Sequence, residues 1–86
     1  MSDKIVHIQY YALLREERGL SQETLSTRAA TARELYEELR TRHRFKLSRD
    51  LLKAAVNDEF VPWDQPLSSG DRVIFIPPVA GAGPGM

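Results

Sequence analysis

Apolar and polar residues alternate along residues 4–11, which is the pattern of a half-buried β-strand. Val6 and Ile8 share the more apolar face, which we expect to meet the core. Residues 11–18 change to helical spacing, and Gly19 follows as a residue type that commonly ends helices. The chain is therefore predicted to open with a strand and a short helix.

The longest helical pattern covers residues 32–43. Thr31 and Glu34 are spaced as a capping box, in which the threonine hydroxyl accepts a first-turn amide and the glutamate reaches back to the cap. His43 would lie near the helix C-terminus, where a partial positive charge is favoured. Apolar residues recur behind the cap at i, i+3, i+4 and i+7, at Ala32, Leu35, Tyr36 and Leu39.

Four shorter segments have the composition of strands, with turn residues between them. The first of them, residues 23–28, is polar, which favours an edge strand antiparallel to the opening strand. One mixed sheet with the long helix packed across one face accommodates this order, so the predicted fold class is α+β. The other strands cover residues 53–56, 60–61 and 72–76, and the predicted core comprises Val6, Ile8, Leu35, Leu39, Val56, Val73 and Phe75.

Composition excludes several classes of protein. The 86 residues suit one domain, and 42% hydrophobic with 28% charged residues is ordinary globular usage. Lys and Arg number 12, as do Asp and Glu, so no positive excess is present to neutralise nucleic-acid phosphates. No apolar run approaches the roughly 18 residues of a membrane span, and no signal peptide is recognisable. We therefore expect a cytoplasmic protein that binds neither nucleic acid nor membranes.

The chain contains no cysteine, which excludes disulfides, thiolate metal sites, cysteine nucleophiles and persulfide carriers. Its two histidines, His7 and His43, are far apart in sequence, and we expect structural roles rather than metal binding. The sequence also shows no nucleophile with a base, no paired carboxylates in a cleft and no phosphate-binding loop. We therefore predict no bound cofactor, no catalytic residue and no independent enzyme.

The C-terminal segment has an unusual composition. No charged side chain follows Arg72, and residues 77–86 are all small, apolar or imino. Glycine has no Cβ, so such a segment can enter a narrow channel, although a frayed terminus is the simpler interpretation of the same composition. The predicted organisation is a domain over residues 1–80 and a flexible glycine-rich tail over residues 81–86.

Several segments together resemble the small subunit of molybdopterin synthase, a family of ubiquitin-like sulfur carriers with the β-grasp fold. The resemblance runs from residue 4 to about residue 81, and it rests on the combination of segments rather than on any single motif. The matching segments are Tyr10-Tyr11-Ala12, Leu14-Arg15-Glu16 with Gly19, Ala54-Ala55-Val56-Asn57, Pro66-Leu67, Ser69-Gly70-Asp71 and the closing run from Val73 to Gly81.

The resemblance implies a chemistry at the end of the chain. In this family an adenylating enzyme related to the ubiquitin-activating enzymes uses ATP to activate the C-terminal glycine carboxylate, and sulfur then replaces the adenylate to give a thiocarboxylate. The tail enters the large synthase subunit, where its sulfur is transferred to a pterin precursor of the molybdenum cofactor. The implied sulfur-carrying positions are Gly81, Ala82 and Gly83.

The sequence departs from the family pattern at its end. The family ends in two glycines, whereas here Ala82 follows Gly81 and the sequence continues to Met86. Trimming by a protease, loss of sulfur carriage and a partner that accepts a longer tail are three explanations that stay open. The alternative functions are an inert-tailed ubiquitin-like binding or regulatory module and a sulfur carrier of the thiamine or tungsten-cofactor pathway.

Strand alternation also predicts an apolar group on the sheet face away from the long helix. Tyr11, Ile74 and Ile76 are expected to face outward there, with Phe60 beyond the Asn57-Asp58-Glu59 turn. The resemblance implies contact with the activating enzyme and the large subunit at Tyr11, Phe60 and Ile76. Such a patch often marks an interface, although scattered exposed apolar residues are also common. The tail root is predicted to bind the same partners through Pro77, Pro78, Val79 and Ala80.

Overall fold

The computed structural model describes residues 3–77 as one β-sheet with a long helix across it. The first and last residues of each strand and helix differ from the predicted ones by no more than one position. The strands are β1 (Lys4–Tyr10), β2 (Gln22–Thr27), β3 (Lys53–Val56), β4 (Glu59–Val61) and β5 (Arg72–Ile76); the helices are α1 (Ala12–Arg18) and α2 (Ala32–His43), and a 3₁₀ turn covers Arg49–Leu51.

The strands lie in the order β2-β1-β5-β3-β4. β1 and β5 are parallel and the other neighbouring pairs are antiparallel, so the sheet is mixed, as predicted. β2 lies at one edge and pairs antiparallel with β1, which confirms the prediction made from its polar sequence. The last strand, β5, is therefore the central strand of the sheet.

Local sequence signals set the ends of both helices. Gly19 ends α1 with a φ of 81°, in the left-handed region that glycine adopts readily. Thr31 caps α2 through its hydroxyl, which accepts the Glu34 amide at 3.3 Å. The Glu34 carboxylate accepts the amide of Ala30 at 2.9 Å, so the second half of the capping box is displaced by one residue.

The core lies between α2 and the sheet, and all seven residues predicted for it are buried. Aromatic rings extend this core, because Phe75 of β5 contacts Tyr36 of α2 and also Trp63, with ring centroids 5.1 and 5.9 Å apart. Within the described residues, neither helix is long and apolar enough to cross a membrane. The core residues that the sequence prediction omitted include Tyr10, Leu14, Tyr36, Phe45, Leu52, Ala54 and Leu67.

Candidate partner-binding surface

The sheet face opposite α2, named the outer face below, carries an apolar group at its centre. Cross-strand register places Ile74 of β5 beside Ala55 of β3, and Ala55 beside Phe60 of β4. Ile76 occupies the next outward position along β5, and Tyr11 directly follows β1. These five residues are named the apolar patch.

The apolar patch is exposed even though alternate residues of the same strands are buried. Phe60 is 71% exposed and Tyr11 is 40% exposed. On β5, Ile74 and Ile76 are half-buried, whereas the side chains that face α2 are completely buried. Keeping large apolar side chains in water forgoes favourable burial, so a contiguous group of this kind often marks an interface. The structure thus brings together Tyr11, Phe60, Ile74 and Ile76, the four predicted outward residues.

Ala55 is the member of the patch that the sequence did not reveal. It lies between Ile74 and Phe60 on the outer face, and only 5% of it is exposed. Its low exposure means that neighbouring side chains cover it, so it connects the larger members of the patch and adds little surface of its own. The alternation within β3 indicates that Ala55 faces outward. Because alanine is small, this signal alone does not assign it to an apolar surface; its pairing with Ile74 and Phe60 does.

β5 ends beside the apolar patch. β1 and β5 run parallel with Tyr10 opposite Phe75, so both strands end at the same edge of the sheet, where Tyr11 is located. Pro77, which was predicted to bind a partner, is buried, and its side chain is not available to a partner in this structure. The other predicted tail residues lie outside the described residues: Pro78, Val79, Ala80, Gly81, Ala82 and Gly83.

The remainder of the outer face carries mostly polar side chains, and Ile5 of β1 is an exposed apolar residue among them. On β1 and β2, His7 Nδ1 lies 2.9 Å from Thr24 Oγ1. At the start of β5, an Arg72 guanidinium N–H donates to the Asp58 carboxylate at 2.7 Å. The outer face therefore has the apolar patch beside the end of β5 and a largely polar part over β1 and β2.

A second group of polar side chains lies on the helix-covered side of the sheet, near the β2 edge. At its centre, the Glu23 carboxylate accepts the Tyr10 hydroxyl at 2.5 Å and an Arg18 N–H at 2.8 Å. The hydrogen bonds from Arg18 hold the pKa of Glu23 below its usual range, whereas burial, followed by the contact with Glu23, raises the pKa of Tyr10. These contacts tie β1, α1 and β2 together.

His43 lies beside this group, near the C-terminus of α2 as predicted, but the expected preference for positive charge is wrong. Its Nε2 is buried, has no hydrogen-bond partner among residues 3–77, and lies 3.9 Å from the Glu23 carboxylate. Burial, followed by the nearby Arg18 charge, lowers the pKa of His43. Desolvation at this site therefore outweighs the helix dipole and favours the neutral imidazole.

The two histidines do not form a common site. His7 faces outward from β1, whereas His43 packs on the helix-covered side beside Glu23. Across residues 3–77, no group of three or more His, Cys, Asp or Glu side chains is arranged to hold a metal ion. The apolar patch at the tail root is therefore the candidate functional site of the described chain.

Comparison with known proteins identifies relatives along nearly the full chain. The molybdopterin synthase sulfur carrier subunit of Escherichia coli (strain K12) is 31% identical over 80 residues, which cover 90% of this chain and 99% of that protein. The solved structure of a putative molybdopterin converting factor subunit 1 from Pyrococcus furiosus is 34% identical, with a TM-score of 0.74 and coverage of 88% of this chain and 99% of that one.

A more distant likeness is to a chain in the complex of subunits 1 and 2 of the molybdopterin-converting factor from Helicobacter pylori. It is 24% identical with a TM-score of 0.62, covers 87% of this chain and 95% of that one, and shows the shared fold. The predicted α+β, β-grasp fold is confirmed by these structures. A family model described as the ThiS family matches residues 8–81, which is most of the sequence. On that match and the identity to the Escherichia coli subunit, the chain belongs to the ThiS family.

Proposed function

We propose that this protein is the sulfur carrier of molybdopterin synthase and that it holds sulfur as a thiocarboxylate at the end of a trimmed tail. The observation that carries the proposal is the position of the end of the central strand β5, which adjoins the apolar patch and is followed in the sequence by the glycine-rich segment. The Escherichia coli relative is a molybdopterin synthase sulfur carrier subunit, which favours this pathway over that of thiamine.

Because the chain has no cysteine, it cannot carry sulfur as a persulfide, and the group left to carry sulfur is an acyl group. The terminal carboxylate attacks the α-phosphate of ATP, pyrophosphate leaves, and an acyl adenylate forms. Hydrosulfide supplied by a sulfur donor then adds to the carbonyl carbon and AMP leaves, so that the product is a thiocarboxylate. The ATP is bound by the adenylating enzyme, and this chain donates sulfur without being catalytic alone.

Two partners use the apolar patch in this proposal. The adenylating enzyme and the large synthase subunit must both reach the same carboxyl end, so both must cover the surface next to the tail root. Exposed aromatic residues such as Phe60 and Tyr11 are suited to anchor such contacts. Subunit 1 of the Helicobacter pylori protein is in a complex with subunit 2, and we propose the equivalent partner here. The reaction depends on ATP and is proposed to occur in the cytoplasm.

Trimming of the tail is part of the proposal, because the sequence extends beyond the position of the reactive end. Gly81 matches the first glycine of the family's ending, and Ala82 occupies the second position. A methyl group at Ala82 restricts the backbone and widens a segment that must enter a narrow channel, whereas glycine does neither. A protease that removes the residues after Ala82 or Gly83 would expose a usable carboxylate.

The test is ATP-dependent thiocarboxylate formation with the adenylating enzyme of the same organism and a sulfur donor, measured by intact mass. Three chains are compared: one ending at Met86, one ending at Ala82, and one with the same end and Ala82→Gly. We expect the reaction rate to rise in that order. The matched control is Ala30→Gly in the chain ending at Ala82, which removes a methyl group from an exposed residue before α2 and should change the rate little.

Two results would change the proposal in different ways. If the chain ending at Met86 reacts as fast as the Ala82→Gly chain, trimming is unnecessary and that part of the proposal is wrong. If none of the chains forms an adenylate or a thiocarboxylate, the protein is not a sulfur carrier, and the inert-tailed binding module becomes the better interpretation.

A further inference from the structure

The outer face has a charge bias that the zero net charge of the chain conceals. Acidic and basic residues are equal in number, 12 of each. The acidic side chains within strands, Glu23 and Glu59, belong to the helix-covered side by alternation, so no carboxylate occupies an outward strand position. Two outward positions carry cations, Lys53 on β3 and Arg72 on β5. Among the strand positions of the described residues, the outer face therefore carries cations and no anion.

The two cations differ in their surroundings. The Arg72 guanidinium lies 2.7 Å from the Asp58 carboxylate, which offsets its charge. Lys53 is exposed and forms no ion pair with any residue in the range 3–77. Of the two outward cations, Lys53 is therefore the one left without a counter-charge among the described residues.

Lys53 also lies at the functional end of the apolar patch. Cross-strand register pairs it directly with Ile76, the last residue of β5. Arg72 lies four residues earlier on β5, which is about 13 Å away at the rise of a β-strand. Lys53 thus lies beside the end of β5, next to the surface that a partner receiving the following residues would contact.

We propose that Lys53 is a partner-selecting residue and that the surface covering the apolar patch presents a carboxylate to its ammonium group. This inference rests on the proposed function and deepens it, because it names the charge that the large subunit brings to the tail root. An ammonium group covered by an apolar partner would lose its hydration without compensation, whereas a carboxylate replaces that hydration. The apolar patch supplies affinity, and Lys53 discriminates among partners and accelerates encounter.

The experiment measures association and dissociation of the large subunit from the same organism at low and high salt. The variants are Lys53→Arg, Lys53→Gln and Lys53→Glu. The matched control is Lys46→Glu, which makes the same charge change at an exposed lysine between α2 and the 3₁₀ turn, outside the sheet. Phe60→Ala reports separately on the patch, and thermal unfolding checks that every variant is folded.

We expect Lys53→Glu to weaken binding about 30-fold at low salt, Lys53→Gln to weaken it several-fold, and Lys53→Arg to preserve it. The effect of Lys53→Glu on the association rate should shrink at about 1 M salt, where the Debye length falls to about 3 Å. The control Lys46→Glu should change the affinity by less than about twofold.

The possible failures are distinguishable. If Phe60→Ala weakens binding and Lys53→Glu does not, the patch is the interface and the proposed role of Lys53 is wrong. Equal losses for Lys53→Glu and Lys46→Glu would also contradict it, because they would reflect net charge rather than a facing carboxylate. If the unmodified chain neither binds the large subunit nor forms a thiocarboxylate, the proposed function and this inference both fail.

Discussion

The two faces of the sheet use the same strands for different purposes. Along β5, Val73 and Phe75 are completely buried under α2, whereas Ile74 and Ile76 beside them stay partly exposed. The side chains that face α2 stabilise the folded chain, because burial of apolar surface contributes about 25 cal/mol per Å². Those on the outer face bury less surface on folding, which leaves more to be buried on association. One alternating strand thus encodes both a core and a candidate interface.

The largest expected effect is on stability, and it is measured by introducing one carboxylate on each face of the sheet. Leu39 of α2 is completely buried, so Leu39→Asp places an unpaired charge in the core and should remove about 4 kcal/mol or more of stability. That loss is comparable with the total stability of a small domain, so we expect unfolding in thermal denaturation followed by circular dichroism.

Phe60→Asp is the matched substitution on the outer face. Because Phe60 is 71% exposed, the same charge remains in water, and the melting temperature should change little while partner binding is lost. A folded Leu39→Asp chain of unchanged stability would contradict the assignment of the core.

The next largest effect is expected on association. Truncating an apolar anchor in an interface typically costs about 2 kcal/mol or more, which is a loss of about thirtyfold in affinity. We therefore expect Phe60→Ala and Ile76→Ala each to weaken binding of the large subunit by this amount while the domain stays folded, measured by titration calorimetry. Unaltered affinity in both variants would mean that these residues are scattered surface side chains rather than an interface.

Disrupting the contacts of Glu23 near the β2 edge is expected to lower stability by an intermediate amount. Glu23→Gln removes the charge that Arg18 and the Tyr10 hydroxyl contact, and it should destabilise the domain by about 1–3 kcal/mol. The control is Glu16→Gln on the exposed side of α1, which should cost less than about 0.5 kcal/mol. Denaturant unfolding compares the two variants, and equal stability would show that the Glu23 contacts are not stabilising.

The smallest expected effect is a pH dependence that arises from His43. Its pKa is lower in the folded than in the unfolded chain, so the unfolded state binds more protons and stability falls as the pH drops through the ordinary histidine value of about 6.5. Glu23, whose folded pKa is also lowered, adds a further loss that begins as the pH falls through the ordinary carboxyl range and continues below it. His43→Gln should flatten the profile of unfolding free energy between about pH 7 and 5. A profile that is unchanged by this substitution would show that His43 does not contribute.

Local patterns were sufficient for most of the fold. The i, i+3, i+4 spacing behind Thr31 predicted α2 with its observed ends, and strand alternation predicted which residues of β5 are buried. These features depend only on neighbours within a few positions along the chain. The fold could therefore be predicted closely from the sequence.

Features that depend on distant residues could not be predicted in the same way. The outward place of Ala55 follows from its pairing with Ile74 and Phe60, and the isolation of Lys53 follows from its pairing with Ile76. The buried Nε2 of His43 depends on how α2 packs against β2, which helix position alone does not specify. For the candidate site, the sequence therefore predicted the large apolar residues but not the small residue between them or the charge beside them.

The most direct measurement is the intact mass of the protein purified from its own host under conditions that preserve thiocarboxylates. A sulfur carrier with a trimmed tail should give the mass of a chain that ends upstream of Met86, together with a form in which one oxygen of the terminal carboxylate is replaced by sulfur. Treatment with a thiol-selective alkylating reagent should shift the second form alone, because the chain has no cysteine. A single unmodified mass that corresponds to a chain ending at Met86, from cells that are actively making the cofactor, would contradict sulfur carriage on a trimmed tail.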